Sequence, residues 1–420
     1  MKSGGVTFAF TLVFGWCFLH ELSAQEWTRF RGPNGSGISH AKTIPTEWEE
    51  SDFLWRVDLP GTGHSSPVLW GDRVFVTSTA DEAGGIHVLC LRAKDGTTIW
   101  RRDFSHRAFP RHKFNSFASA TPAVDADRLY LSWNVPERYT LMALDHEGKT
   151  VWDQDLGPYK SQHGCGTSPI VYEGKVILAN EQDGPSFVGA VDAASGRSLW
   201  RTPRNTAVVA YSTPCIYQPK GGAAVLIFNS QGHGVYAVDP ASGKVAWEFA
   251  AAFDKRSVSS PCLAGDLIIG SCGSGGGGNF VAAIRAGDPA HGLKPALAFQ
   301  MKKSAPYVPT ALAFGQRAWL WSDGGILTCV RTPGGEIVYQ ERVGGNFFGS
   351  PVWVDKRLFA VSTSGEVVVV EAGDQFKVLA RHSLNDTCHS TPAISGERMF
   401  VRTEKRLHCI GAAKASDRDL

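Results

Sequence analysis

Three places ahead of a Ser/Thr-Pro pair, the chain repeatedly sets a side chain of a kind that can hold a ligand. At seven such pairs, and at one site where Ala311 stands for the proline, the residues at this offset are His64, Ser119, Gly166, Tyr211, Val258, Val308, Phe348 and His389. Cys388 adjoins His389, Cys165 lies in "HGCGTSP" with His163 close by, and "RHKFNSFASATP" adds His112 and Asn115. Imidazoles and thiols converging on a funnel would bind a metal or a small polar ligand. His64, Asn115, Tyr211 and His389 are the ligand candidates. The bland alternative is a polar channel lining bridged by water. A metal would need three or four donors within coordination distance. Its weak candidates are His64, His389 and Cys388, so no metal site is expected. No His-x-Glu, His-Glu-x-x-His or carboxylate cluster is present, and no catalytic residue is assigned. "GSGGGGN" (Gly273–Asn279) lacks a following Lys-Ser/Thr and reads as a loop, not a phosphate cradle.

These residues would be positioned by repeats. Strands open at Pro67, Pro122, Pro169, Pro214, Pro261, Ala311, Pro351 and Pro392, a period of about 46 residues. Each unit reads as four short strands. In the first, "SPVLW", "RVFVTS", "HVLCLRA" and "TTIWRRDF" are separated by Gly-Asp, a polar loop and Lys-Asp-Gly. "AVDAASGRSLW" (Ala190–Trp200) and "AVDPASGKVAW" (Ala237–Trp247) repeat the junction of the third and fourth strands. Gly96, Gly148, Gly196, Gly243 and Gly335 supply its turn, and Trp100, Trp152, Trp200 and Trp247 follow on the fourth strand. A large ring beside a small residue is what sheets packed face to face require, so these Trp residues are structural.

The last unit lacks a fourth strand, and the N-terminal "DFLWRVDL" (Asp52–Leu59), with Trp55, is a spare one. Pairing the two closes a circle and removes two open edges. The expected fold is all-β: an eight-bladed propeller of four-stranded antiparallel blades, closed by the N-terminal strand. The expected organisation is a signal peptide at 1–24, an N-terminal arm at 25–51, the propeller at 52–412 and a charged tail at 413–420. The arm's "RFRGPNGSG" is either packed on the ring or a loose linker.

Lys2, an apolar run at Val6–Leu19 and small residues ending at Ala24 form a cleavable export signal, with an uncleaved anchor as the alternative. The residue before Cys17 is Trp16, which does not suit a lipobox. The expected location is periplasmic or secreted, with no integral membrane span after cleavage. A net charge of +2 gives no nucleic-acid footprint. Cys90, Cys329 and Cys409 share one repeat position, and Cys215 and Cys262 another, which favours buried free thiols over disulfides.

"AxDxxSGxxxW" joined to Ser/Thr-Pro strands resembles the pyrroloquinoline-quinone (PQQ)-like propeller repeat. "WTRFRGPNGSGIS" and "LWRVDLPGTGHSSP" resemble exported bacterial members of unassigned function. The resemblance implies the fold of quinoprotein alcohol dehydrogenases. It also implies that of the non-catalytic propeller lipoprotein of the outer-membrane β-barrel assembly machinery. Such dehydrogenases carry a vicinal Cys-Cys pair, and this chain has no Cys-Cys dipeptide and no Cys-x-x-Cys-His. The reading therefore leans away from an enzyme. It favours a binding or assembly propeller of the cell envelope, with no cofactor and with a protein partner or small polar ligand at the loop face. The alternative is a PQQ-dependent alcohol or sugar dehydrogenase, using PQQ with Ca²⁺.

Overall fold

Short β-branched and aromatic runs broken by Gly-containing turns leave little scope for helix. The computed structural model describes residues 27–80 and 84–411, and among them the only helical pieces are single 3₁₀ turns. The expected leader, Cys17 and the charged tail lie outside the described residues.

The strands form eight antiparallel sheets of four, one per repeat, arranged as propeller blades. Blade 1 runs Val68–Trp70, Arg73–Thr79, Ile86–Arg92 and Thr98–Phe104, from the innermost strand outwards. Blades 2 to 7 repeat the pattern over 123–155, 170–206, 215–249, 262–301, 312–342 and 352–383. Blade 8 holds Ala393–Ser395, Arg398–Arg402 and Arg406–Ile410, and its outer strand is Phe53–Asp58. The register pairs Trp55 with Cys409 and Val57 with Leu407, so the N-terminal strand closes the wheel as expected.

The tryptophans explain how one blade seats on the next. Trp152 pairs across its own sheet with Ala143, and its ring lies over Gly196 of blade 3. A Cβ on Gly196, whose φ is +73°, would stand 2.7 Å from that ring. The glycine thus answers two needs, a left-handed turn and room for the neighbour's indole. The indole N–H then donates to the Ala193 carbonyl at 2.9 Å. Trp55 over Gly96, Trp100 over Gly148 and Trp200 over Gly243 repeat the contact, each with an indole hydrogen bond to a turn carbonyl. Phe299 takes the same place over Gly335. Between blades the packing is apolar, for example Phe75, Val88 and Cys90 against Leu129, Leu131 and Met142. All eight cysteines among the described residues are free and buried.

Around the channel runs a closed hydrogen-bonded circuit. The backbone N–H of each Ser/Thr before the inner strand donates to the hydroxyl of its counterpart in the next blade. Ser66 donates to Thr121 (2.9 Å), Thr121 to Ser168 (2.9 Å), Ser168 to Thr213 (3.3 Å) and Thr213 to Ser260 (3.0 Å). Ser260 donates to Thr310 (3.0 Å), Thr310 to Ser350 (3.0 Å), Ser350 to Thr391 (2.9 Å) and Thr391 back to Ser66 (3.0 Å). The hydroxyl is thus the invariant part of the Ser/Thr-Pro phrase. Where Ala311 replaces the proline, Thr310 keeps its place in the circuit.

The arm is packed on the ring, not loose. Inner strands present unpaired N–H and C=O groups to the channel, and such groups need partners when buried. The Trp27 carbonyl accepts from Leu69 N–H, that of Thr28 from Val124 and that of Gly37 from Trp353. The Asn34 side chain bonds both backbone groups of Ile216 at 2.8 Å. The fully buried Arg31 donates to the carbonyls of Gly35, Ser36, Thr310 and Ala311. Ile38–Ser39 adds a short parallel strand to the inner edge of blade 7. The arm therefore plugs one end of the channel.

Candidate functional site

With one end plugged, the channel becomes a cup of about 610 Å³ opening on the loop face. Its floor includes Phe30 of the arm. Its wall contains every hydroxyl of the circuit. It also contains His64, Ser119, Gly166, Tyr211, Val258, Val308, Phe348 and His389, all eight residues at the offset of three. A repeat puts equivalent residues at equivalent heights, so one sequence offset becomes one rim.

Closure brings the first and last histidines together. His389 Nδ1 lies 3.0 Å from His64 Nε2, and Phe348 stacks on the His389 ring at 5.3 Å. Burial, then His389, Arg402 and Arg111, push His64 well below the usual imidazole range. Burial and Arg402 lower His389 as well. Both rings are therefore neutral at pH 7, and one donates to the other.

The connection from blade 1 to blade 2 reaches over the mouth. Its Phe114 is half exposed and meets Phe348 edge-on, with ring centroids 5.4 Å apart. His112 of the same segment lies against His163, at 4.6 Å between centroids. Burial, then Arg256 and His112, lower His163 to about 4. Asn115 ties this segment down. Its amide nitrogen donates to the carbonyls of His163 (2.7 Å) and Cys165 (3.1 Å), and its oxygen accepts from Ser116 N–H and the Ser119 hydroxyl. Asn115 lines the cup, but its hydrogen-bonding capacity is spent on the loop.

The two thiols do not face the cup. Cys388 is fully buried and its Sγ lies 3.3 Å from the Arg402 carbonyl, so this weak metal candidate points into the blade. Cys165 lies 3.5 Å from the Tyr139 hydroxyl, inside the seam between blades 2 and 3. Burial raises Cys388 and Cys165 to about 11, which keeps both thiols protonated. Tyr211 lies 3.4 Å from the Ser161 hydroxyl and lines the wall. Among the described residues no group of three or more His, Cys, Asp and Glu is placed to hold a metal.

The sequence reading missed Arg256, Tyr307 and Asp323, which also line the cup. Asp323 accepts the N–H groups of Tyr307 (2.6 Å) and Val308 (3.1 Å), and burial raises it above the usual carboxylate range. It sits in the "SDGG" turn between two strands, and that loop class was the available signal. Among the described residues of the loops between second and third strands, those that reach the cup belong to blades 5 and 6, through Ser274–Asn279 and Asp323. The glycine-rich loop is held by Lys255, whose Nζ donates to the carbonyls of Gly277 and Gly278.

A second buried polar group lies outside the cup, between blades 3 and 4. The Glu181 carboxyl is 2% exposed, and neither oxygen makes a well-formed hydrogen bond, although Ser230, Tyr236 and Arg204 surround it. Burial raises it to about 7.

Comparison with known proteins agrees with this geometry. A family model described as outer membrane protein assembly factor BamB matches residues 84–288. The chain carries PQQ-like propeller repeats. It is 25% identical over 198 residues to a polyvinylalcohol dehydrogenase of a Pseudomonas species, covering 40% of this chain and 28% of that one. It is 29% identical over 155 residues to quinohemoprotein alcohol dehydrogenase ADH IIB of Pseudomonas putida, covering 36% and 21%. The chain thus matches under a third of the length of these relatives. BamB from Moraxella catarrhalis superposes with a TM-score of 0.60 at 13% identity, over 90% of this chain and 99% of that one. A europium-containing methanol dehydrogenase superposes with a TM-score of 0.68 at 12% identity, over 92% and 98%. At such identities the structural likeness establishes the fold alone.

Proposed function

We propose that this chain is an exported, non-catalytic binding or assembly propeller of the cell envelope, and that its loop face is the working surface. The observation that carries the reading is the cup itself. A rigid closed ring sets eight equivalent rim residues around a cavity open at one end. Loops held by a rigid scaffold are where recognition concentrates. The likeness to the assembly factor BamB supports an interaction role. No helix among the described residues is long and apolar enough to cross a membrane.

The rival reading, a dehydrogenase using PQQ with Ca²⁺, is favoured by the names of the relatives. The cup does not fit that pair of ligands well. Its lining holds one carboxylate, Asp323, already accepting two N–H groups, and no thiol. Glu181 stands outside the lining. A hard divalent cation needs several oxygen donors, which this wall does not gather.

The test has two arms. Photo-crosslinking side chains placed at Phe114 and at the outer-strand residue Ile99 are exposed to envelope extract. Adducts from position 114 and not from 99 support the loop face. In parallel, the protein is mixed with PQQ, Ca²⁺ and alcohols, and dye reduction is followed. Turnover there overturns the binding reading.

A further inference from the structure

We propose that the wheel carries a second ligand site on its outer side, in a groove at the closing seam between blades 7 and 8, and that this groove takes a tetrahedral oxyanion: the phosphate group of a larger molecule.

The groove holds about 390 Å³ and shares no lining residue with the cup. Three stretches of chain meet in it. The arm and the closing strand supply Trp48, Glu50 and Arg56, the outer strand of blade 7 supplies Arg381, and the third strand of blade 8 supplies Arg406 and His408.

His408 is the group that the fold leaves unanswered. It is 1% exposed, and its Nδ1 is buried with no hydrogen-bond partner. Burial, then Arg56 and Arg406, lower it to about 4 against the opposite pull of Asp386 and Asp58, so the ring is neutral at pH 7. Its one proton has two places to go. The Thr403 hydroxyl stands 3.2 Å from the Arg406 carbonyl and 3.2 Å from His408 Nε2. That carbonyl already accepts the Thr403 N–H at 2.9 Å. The hydroxyl therefore gives its proton to Nε2, and the ring's own proton sits on Nδ1. A buried N–H at the wall of a groove costs stability until something accepts it.

The guanidiniums add donors from the other sides. Arg56 gives Nη1 and Nη2 to Glu50 and lies over the Phe53 ring, 3.5 Å from its centroid. Arg381 gives Nη1 to Glu366 and Nη2 to the Val343 carbonyl. Arg406 gives Nε to Asp58 at 2.7 Å. These pairs hold the three heads in place without exhausting them, because a guanidinium has five N–H donors. Arg56 Nε and both Nη groups of Arg406 take no part in the pairs. The carboxylates of the lining are already engaged, Glu50 by Arg56 and Glu49 by the Asp52 N–H. The groove's open valences are thus chiefly donors.

The rings of the groove restrict the guest. His382 covers Trp48 at 3.7 Å between centroids, and Arg56 covers Phe53, so an aromatic or sugar ring finds no free face there. A carboxylate offers two oxygens in one plane. Donors arriving from three stretches of chain suit a group with oxygens in three directions, and bonds to a charged oxygen are the strong ones. An occupant held by all three ties the closing strand and blade 8 to blade 7, so binding and ring closure reinforce each other.

The experiment uses the full chain with glycerol 3-phosphate as probe, glycerol as the uncharged control and sodium chloride at matched ionic strength. Glycerol 3-phosphate at about 20 mM is expected to raise the thermal midpoint by about 2 °C or more over the salt, and glycerol to leave it unchanged. The His408 imidazole resonances should shift with the same titration. Arg406→Gln is expected to weaken the probe about fivefold or more. Asp58→Asn, which removes the rival acceptor of Arg406, should tighten it about twofold, whereas a purely structural role for the pair would give a loss. Arg285→Gln breaks an Arg–Asp pair in blade 5 and should leave probe binding unchanged. Stabilisation equal to that of the salt, binding indifferent to Arg406→Gln, or unmoved His408 resonances overturns the proposal. Co-sedimentation with phosphatidylcholine vesicles containing phosphatidic acid, and not with phosphatidylcholine alone, assigns a lipid headgroup if Arg406→Gln abolishes it. Probe binding without co-sedimentation assigns a soluble phosphate ester.

Discussion

The two ends of the channel are built from the same repeat and treated in opposite ways. At the plugged end, a single non-repeating segment meets the inner strands of blades 1, 2, 4, 6 and 7 and satisfies their edge groups. At the open end, the repeat presents eight residues of mixed character to a cavity. The contrast teaches where each demand falls. Backbone satisfaction must be complete wherever water is excluded. Side chains may vary freely only where solvent or a ligand can partner them.

The comparison can be broken most directly at Arg31. Arg31→Ala leaves the two carbonyls just ahead of the blade 6 inner strand and two arm carbonyls without their donor, and the expected loss is about 4 kcal/mol. Denaturant titration measures it, and a loss under about 1 kcal/mol would mean the plug is not structural. Next is Glu181, which belongs to neither end. Its carboxyl is held near 7 in the fold against the usual 4.5, so the folded state binds more protons between those values. Stability therefore falls as pH rises from 4.5 to 7, and the full penalty is present above that. Glu181→Gln should lie about 3 kcal/mol above the parent at pH 8 and converge with it by pH 4.5. Parallel stability curves would show that the carboxyl titrates alike in the folded and unfolded chain, with no penalty for its burial.

A smaller effect is expected in the hydroxyl circuit. Thr391→Val keeps the shape and removes one acceptor, costing about 1 to 2 kcal/mol. Thr391→Val breaks the internal link from Ser350, and a thermal shift of the same size from Ser66→Ala, which removes the acceptor of the closing link, would show that the two are equivalent. Smallest is the mouth: Phe114→Ala should change stability by less than about 0.5 kcal/mol while altering binding to the cup. A large loss there would make the arch over the mouth part of the core and erase the contrast between the ends.

Much of the wheel was legible because repetition makes a fold readable. The period, the missing last strand and its spare N-terminal partner suffice to lay Asp52–Leu59 alongside the last strand, and the structure adds the register of Trp55 opposite Cys409. The same logic places His64 against His389 before any coordinates. Legibility fails where a feature occurs once. "RFRGPNGSG" has no counterpart to compare with, so its alternatives stayed open. The thiol of Cys388 was misjudged because an offset fixes a backbone position and not the direction a side chain takes in the loop ahead of the inner strand. His389 turns to the cup and Cys388 into the blade. The Ser/Thr hydroxyls were seen only as a prelude to proline, because a bond between blades leaves no mark in the spacing within one. Arg256 and Asp323 lie in loops whose lengths differ from blade to blade, which defeats alignment by period.

The hydroxyl circuit has one further consequence. The link from Thr391 to Ser66 joins the two ends of the sequence, yet its 3.0 Å length matches the links inside the chain. Where the polypeptide begins is therefore incidental to the wheel. A circular permutant opened in a surface turn of blade 5, with its old termini tethered, should re-form the same loop of eight bonds, since each blade recognises only the one before it and the one after.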